Sequence, residues 1–229
     1  MRLTVNIILF LILTNSYGQD KYFEPEGVVD RTFDYQNDSV DWVSLTDKEK
    51  VDEYTRIDTV IFCGEIGCDI EPMTGIDIST FEVLAGTNYA KDKNNVYYPI
   101  QVICIDYTDC GVCYCSDYIL ENVQTETFRY LDKEYATDGE NVYFRGKLIK
   151  NGDGETFKVI DGPEYFFFAV DKNAVYRHDE IFSEADPSTF YYDKNDERNI
   201  NTQFEHRYII GDKDFKWEYI PPTTIRKIK

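Results

Sequence analysis

One nine-residue pattern is written three times in this chain with no slip in spacing. Tyr89-Ala90-Lys91-Asp92-Lys93-Asn94-Asn95-Val96-Tyr97 returns as Tyr135-Ala136-Thr137-Asp138-Gly139-Glu140-Asn141-Val142-Tyr143, and again as Phe168-Ala169-Val170-Asp171-Lys172-Asn173-Ala174-Val175-Tyr176. Self-similarity at a period of tens of residues restricts the fold to repeat architectures, in which each unit buries its apolar face against its neighbours. Each copy reads as a hairpin. An extended aromatic segment leads to the Asp, whose carboxylate can accept from backbone amides two residues on. Lys-Asn or Gly-Glu fills the corner, and Val-Tyr opens the return strand. In the second copy Val142, Phe144 and Leu148 alternate with Tyr143 and Arg145, which predicts a half-buried strand.

A further element precedes each hairpin. Thr80-Phe81-Glu82-Val83-Leu84, Thr127-Phe128-Arg129-Tyr130-Leu131 and Thr156-Phe157-Lys158-Val159-Ile160 share one form, and Thr189-Phe190-Tyr191-Tyr192 starts a fourth copy. The predicted unit is therefore three strands, with turn-rich corners between units such as Asn151-Gly152-Asp153-Gly154 and Ala185-Asp186-Pro187. The motif Asp falls at 92, 138 and 171, so the first interval is the longer one. Its excess is placed at 99–126, an insertion that carries four of the six cysteines. The expected fold is all-β, with antiparallel three-stranded meander or hairpin units stacked as a solenoid or propeller-like array and a disulfide-stapled insertion. The 19 Tyr and 15 Phe agree with strands.

The expected organisation has a signal peptide over 1–18, an N-terminal segment or cap over 19–75, repeats over 76–192 and a degenerate repeat or C-terminal cap over 193–229. In the last part Tyr208 to Trp217 restates the hairpin, with Trp217 in place of the second Tyr. Asp47 to Tyr54 reads as a short helix. Arg2, the apolar run from Val5 to Leu13 and the small residues Ser16 and Gly18 predict cleavage between Gly18 and Gln19. The run is far short of the roughly 20 residues that span a bilayer. The mature chain is thus expected to be exported, periplasmic or secreted, without a membrane span.

The chain carries 43 Asp plus Glu against 24 Lys plus Arg, a net charge of −19. Such a field repels nucleic acid and anionic membranes and attracts cationic molecules. In an exported chain the even set Cys63, Cys68, Cys104, Cys110, Cys113 and Cys115 reads first as disulfides. Cys110-x-x-Cys113 with Cys63 and Cys68 is a loosely spaced alternative for zinc. Cys113 and Cys115 would share one face of a strand, so each is expected to bond elsewhere. Asp193-Lys194-Asn195-Asp196-Glu197 starts like a calcium loop, but Arg198 and Phe204 stand where a Gly and a bidentate Glu belong. Neither His178 nor His206 sits in a catalytic or metal spacing. No catalytic, cofactor-binding or metal-ligating residue is assigned.

The Asp-Lys-Asn-x-Val-Tyr core at 92–97 and 171–176 resembles the DKNYVY repeat family of exported bacterial proteins, over roughly residues 76–192. That resemblance implies repeats and no particular chemistry. Asp92, Val96 and Tyr97, Asp138, Val142 and Tyr143, and Asp171, Val175 and Tyr176 are read as turn and core residues. The functional expectation is a non-enzymatic, macromolecule-binding scaffold without a cofactor, whose partner is a cationic protein such as a toxin or a lysozyme-like enzyme. The alternative is a glycan-binding module, which requires Tyr97, Tyr143 and Tyr176 to face solvent.

Overall fold

The computed structural model describes residues 26–34, 38–64, 71–103, 112–116 and 118–228. The expected signal peptide and Cys68, Cys104 and Cys110 lie outside them. Apart from a single 3-10 turn at Ile78–Thr80, the described residues form strands, turns and loops.

Five sheets of four or five strands come in chain order, except that Trp42–Ser44 of the second falls between strands of the first, and a two-stranded sheet lies between the second and third. The first contains Val29–Arg31, Glu49–Val51, Tyr54–Ile57, Val60–Cys63 and Glu71–Pro72; the second contains Trp42–Ser44, Glu82–Leu84, Ala90–Lys91 and Val96–Tyr97. The third is Arg129–Asp132, Tyr135–Thr137, Val142–Phe144 and Lys147–Leu148; the fourth is Lys158–Val159, Phe168–Val170, Val175–Arg177 and Glu180–Ile181. The fifth is Tyr191–Tyr192, His206–Gly211, Lys216–Ile220 and Thr224–Ile228, with Ile200–Asn201 paired to His206–Gly211. Pairing is antiparallel except where Val29–Arg31 runs parallel to Glu49–Val51.

The repeating unit has four strands rather than the expected three. After Val142–Phe144 a two-residue turn at Arg145-Gly146 brings Leu148 opposite Tyr143; Ile181 returns opposite Tyr176 in the same way. These fourth strands are two residues long, too short to register as a periodic run. Their register is also kept by Ile149 N–H donating to Val142 O and Phe182 N–H to Val175 O, both at 2.8 Å. Leu120 N–H to Val96 O and Met73 N–H to Ile61 O repeat this bond in the second and first sheets.

That equivalence shows a unit in the N-terminal part. Thr55 pairs with Phe62 as Ala136 pairs with Tyr143. Ile57 and Phe62 therefore stand where later units have the motif Asp and Tyr, which hides the repeat from the sequence. The expected helix at 47–54 is two strands joined at Asp52-Glu53. Val51 and Tyr54, three apart as on a helix, are instead a cross-strand pair.

Each of the four buried clusters joins two consecutive sheets. Phe81, Phe128, Phe157 and Phe190 pack back onto Tyr54, Tyr89, Tyr135 and Phe168 of the preceding sheet, with ring centroids 5.6, 5.3, 5.4 and 5.5 Å apart. Such pairs contribute about 0.5–1.5 kcal/mol each beyond area burial. The tyrosine hydroxyls reach carbonyls: Tyr54 donates to Asn88 O, Tyr89 to Glu134 O and Tyr135 to Phe167 O and His178 O. Successive side chains on a strand point to opposite faces, and here both faces are covered. Val142, Tyr143 and Phe144 are all buried, so the expected half-buried strand is buried on both sides.

The fifth sheet replaces an apolar position with charge. Lys216 occupies the place of Val175 and pairs with Asp193 and Asp196; Arg198 also binds Asp196, and Arg207 binds Glu218.

Candidate functional site

The motif Asp is a buried corner post. In the second sheet Asp92 Oδ1 accepts the N–H groups of Asn94 and Asn95 at 2.7 and 2.8 Å. Its Oδ2 accepts Asp77 N–H at 2.7 Å and the Tyr97 hydroxyl at 2.8 Å. Asp171 repeats the set with Asn173, Ala174, Asp153 and Tyr176. Asp138 does so with Glu140, Asn141, Gln124 and a longer Tyr143 bond of 3.3 Å. Asp212, in the C-terminal copy, accepts from Asp214, Phe215 and Asp186. One carboxylate therefore closes its own turn and pins the corner that enters the sheet. Burial pushes the Asp92 and Asp138 carboxyls up, but these donors outweigh it and hold both below the ordinary value. The tyrosine hydroxyls, desolvated beside the carboxylates, are pushed well above theirs.

Two variations follow the same geometry. The residue after the Asp is a lysine that pairs across the corner: Lys93 with Asp77, Lys172 with Asp153 and Lys213 with Asp186. In the third sheet both partners differ together, Gly139 facing the corner of Gln124. In the fifth, Trp217 replaces the tyrosine, and its buried indole Nε1 has no hydrogen-bond partner among the described residues.

These facts remove one function from the motif. Tyr97, Tyr143 and Tyr176 are 0 % exposed, so they cannot stack against a sugar. Val96, Val142 and Val175 are equally buried, and the motif acids are saturated by internal donors. The expected glycan platform on the motif tyrosines is not there.

The insertion arises inside a hairpin of the second sheet. Tyr97 is followed by an excursion in place of a two-residue turn, and Ile119 bridges back to it where Leu148 and Ile181 pair in the later units. Tyr98 N–H donates to Tyr118 O at 2.7 Å, closing the root. Within the excursion Ile100–Ile103 pairs with Val112–Ser116. Cys115 bonds Cys63 across a Cα separation of 5.9 Å, so the staple ties the insertion to the first sheet rather than to itself.

Beside this root lies a cavity of about 590 Å3. Asn88, Tyr98, Pro99 and Ile100 come from the second sheet and the insertion, Glu134, Phe144, Arg145 and Lys147 from the third, and His178 and Asp179 from the fourth. Tyr98 donates to Glu134 Oε2 at 3.1 Å. The His178 ring lies 5.3 Å from both Phe144 and Phe167. Burial, with Arg177 and Arg145 nearby, pushes its imidazole below the ordinary value. A second cavity of about 830 Å3 shares Ile100, Lys147 and Asp179. His178 has neighbours that sequence spacing cannot show, and Arg145 carries no motif at all. The one sequence signal for this place is the interruption of the repeat.

Repeated antiparallel sheets with a buried Asp–Tyr corner define the class as an all-β repeat protein. The family described as the DKNYY family matches residues 100–180. The match covers the insertion hairpin and the third and fourth sheets, so the resemblance read from the motif holds there; Asp92 and Asp212 lie outside the matched stretch. No curated protein and no solved structure matches the chain.

Proposed function

We propose that the chain is an exported, non-enzymatic scaffold that binds a cationic protein. The observation that carries this reading is how the charge is used. The motif acids are turned inward and satisfied by backbone donors, and several lysines are paired at corners. With these inward-turned and paired groups set aside, the excess of 43 Asp plus Glu over 24 Lys plus Arg still leaves the surface acidic. Electrostatic complementarity then supplies the on-rate and the choice of partner. The repeated sheets act as a rigid support, and the insertion, where the repeat is broken, is the least generic surface. Loops carried on such supports are where binding concentrates.

The test is a titration with a basic, lysozyme-like protein and with an acidic protein of similar size. Binding of the basic protein alone, weakening steeply as ionic strength rises, is the expected result. Absence of binding at low salt, or binding indifferent to salt, would sink the reading.

A further inference from the structure

The cavity at the insertion root contains a cation that the fold does not use. Arg145 is exposed, and among the described residues its guanidinium has no carboxylate within ion-pair distance and no hydrogen-bond acceptor. In a chain with nearly two acids for every base, an unpaired arginine lining a cavity is a specific feature. It is also held in place. The guanidinium carbon sits 5.4 Å from the Phe144 ring and 5.5 Å from Phe167, stacking that fixes a planar cation while leaving its N–H fork open. Lys147, two residues on, adds a second cation, whose contact with Asp179 is long at 3.6 Å.

The backbone supports the same placement. Glu134, Arg145 and His178 have φ of 69°, 49° and 58°, in the left-handed region that non-glycine residues seldom adopt. These three turns, from two sheets, line one cavity. Tyr98, Ile100 and Phe144 give it apolar walls. Its volume falls in the range of small-molecule sites, about 300–1,000 Å3.

We infer that this cavity is a binding site for a small oxyanion-bearing ligand, a carboxylate or phosphate held by Arg145 and Lys147 against the walls of Tyr98 and Phe144. The planar fork of Arg145 matches two oxygens of such a group, and Lys147 adds a point charge. His178, Asn88 and Asp179 also line the cavity, where they can meet hydroxyl or amine groups on the ligand. This site lies at the root of the insertion but takes a small anion rather than a cationic protein, and either reading can stand without the other.

The test uses the full mature chain and three probes: inorganic phosphate, acetate and glucuronate, each titrated by calorimetry at low salt. Saturable binding of phosphate alone assigns a phosphate ligand, and saturable binding of glucuronate or acetate assigns a carboxylate. Arg145→Ala is expected to weaken that binding at least about tenfold, Arg145→Lys less, and the distant Arg226→Ala not at all. Retained near-ultraviolet circular dichroism shows that each variant is folded. No saturable binding of any probe up to about 10 mM, a weakness below the ordinary millimolar range, would overturn the inference. An equal loss in Arg226→Ala would do so as well, since it would reduce the effect to net charge.

Discussion

The Tyr176 hydroxyl donates to Asp171 Oδ2 at 2.8 Å, five residues back along the chain and beneath the turn that Asp171 closes. The same bond joins Tyr97 to Asp92, and in a longer form Tyr143 to Asp138. It ties the second strand of a hairpin to the corner carboxylate, so the polar post and the hydrophobic face are fixed together.

Removing this post is costly. Asp171→Ala leaves three N–H donors without an acceptor and the buried Tyr176 hydroxyl with only a long 3.4 Å contact to Asn151 O, and is expected to cost roughly 3–5 kcal/mol. Tyr176→Phe removes one charge-assisted bond, about 2 kcal/mol, whereas Tyr143→Phe, where the bond is 3.3 Å, costs about 1 kcal/mol. Urea unfolding of the three variants gives the order. Equal losses for the two tyrosines would separate the bond from stability.

Stability has two acid-dependent steps of opposite sign. Asp92 and Asp138 are held below their ordinary value, so their stabilisation is complete above an unfolded value of about 3.9 and lost as pH falls through the lowered one. Asp52 behaves the other way. Burial raises its carboxyl to about 6, against the opposing N–H groups of Gly86 and Thr87, with Glu53 and Lys50 nearby. Its cost is absent below about pH 4 and complete above about pH 6. Asp52→Asn, which keeps an acceptor for Gly86 N–H at 2.9 Å, is expected to raise stability near pH 7.5 by about 2 kcal/mol and leave it unchanged at pH 4. A denaturation profile against pH decides this, and an unaltered slope between pH 4 and 6 refutes it.

The staple acts across sheets. Cys63 and Cys115 close a loop of 52 residues, for which chain entropy gives about 4 kcal/mol. Cys63→Ala with Cys115→Ala is expected to lower the unfolding midpoint by that measure and to expose the insertion hairpin to protease before the third and fourth sheets. Peptide mapping of a limited digest follows the order of cleavage; simultaneous loss of all sheets would contradict it.

Gly146 is required by its turn. Its φ is +73°, and an added Cβ would lie 2.5 Å from Tyr98 Cβ. Gly146→Ala is expected to destabilise by roughly 2–4 kcal/mol through strain and overlap together. Because Tyr98 is a wall of the cavity, the same change should weaken any oxyanion bound beside Arg145. Full stability with normal binding would show that Tyr98 moves aside freely.

The corner was legible in nine residues because its chemistry is local: Asp138 binds amides two and three residues on and a hydroxyl five residues on. Hairpin, turn and strand order follow from such bonds, and so does the all-β class. The insertion was also visible, as a break in an otherwise constant spacing. The fourth strand was not, since two residues such as Lys147–Leu148 carry no period. Nor was the first sheet, whose hairpins keep the register of the later units after Ile57 and Phe62 have replaced the Asp and Tyr. The inward-facing motif tyrosines agree with their reading as core residues, whereas tertiary structure alone decided that Cys115 pairs with Cys63 and that Tyr98, Arg145 and His178 share one cavity. Those outcomes depend on residues tens of positions apart meeting when sheets stack, and packing between units, unlike a turn, leaves no fixed spacing along a chain.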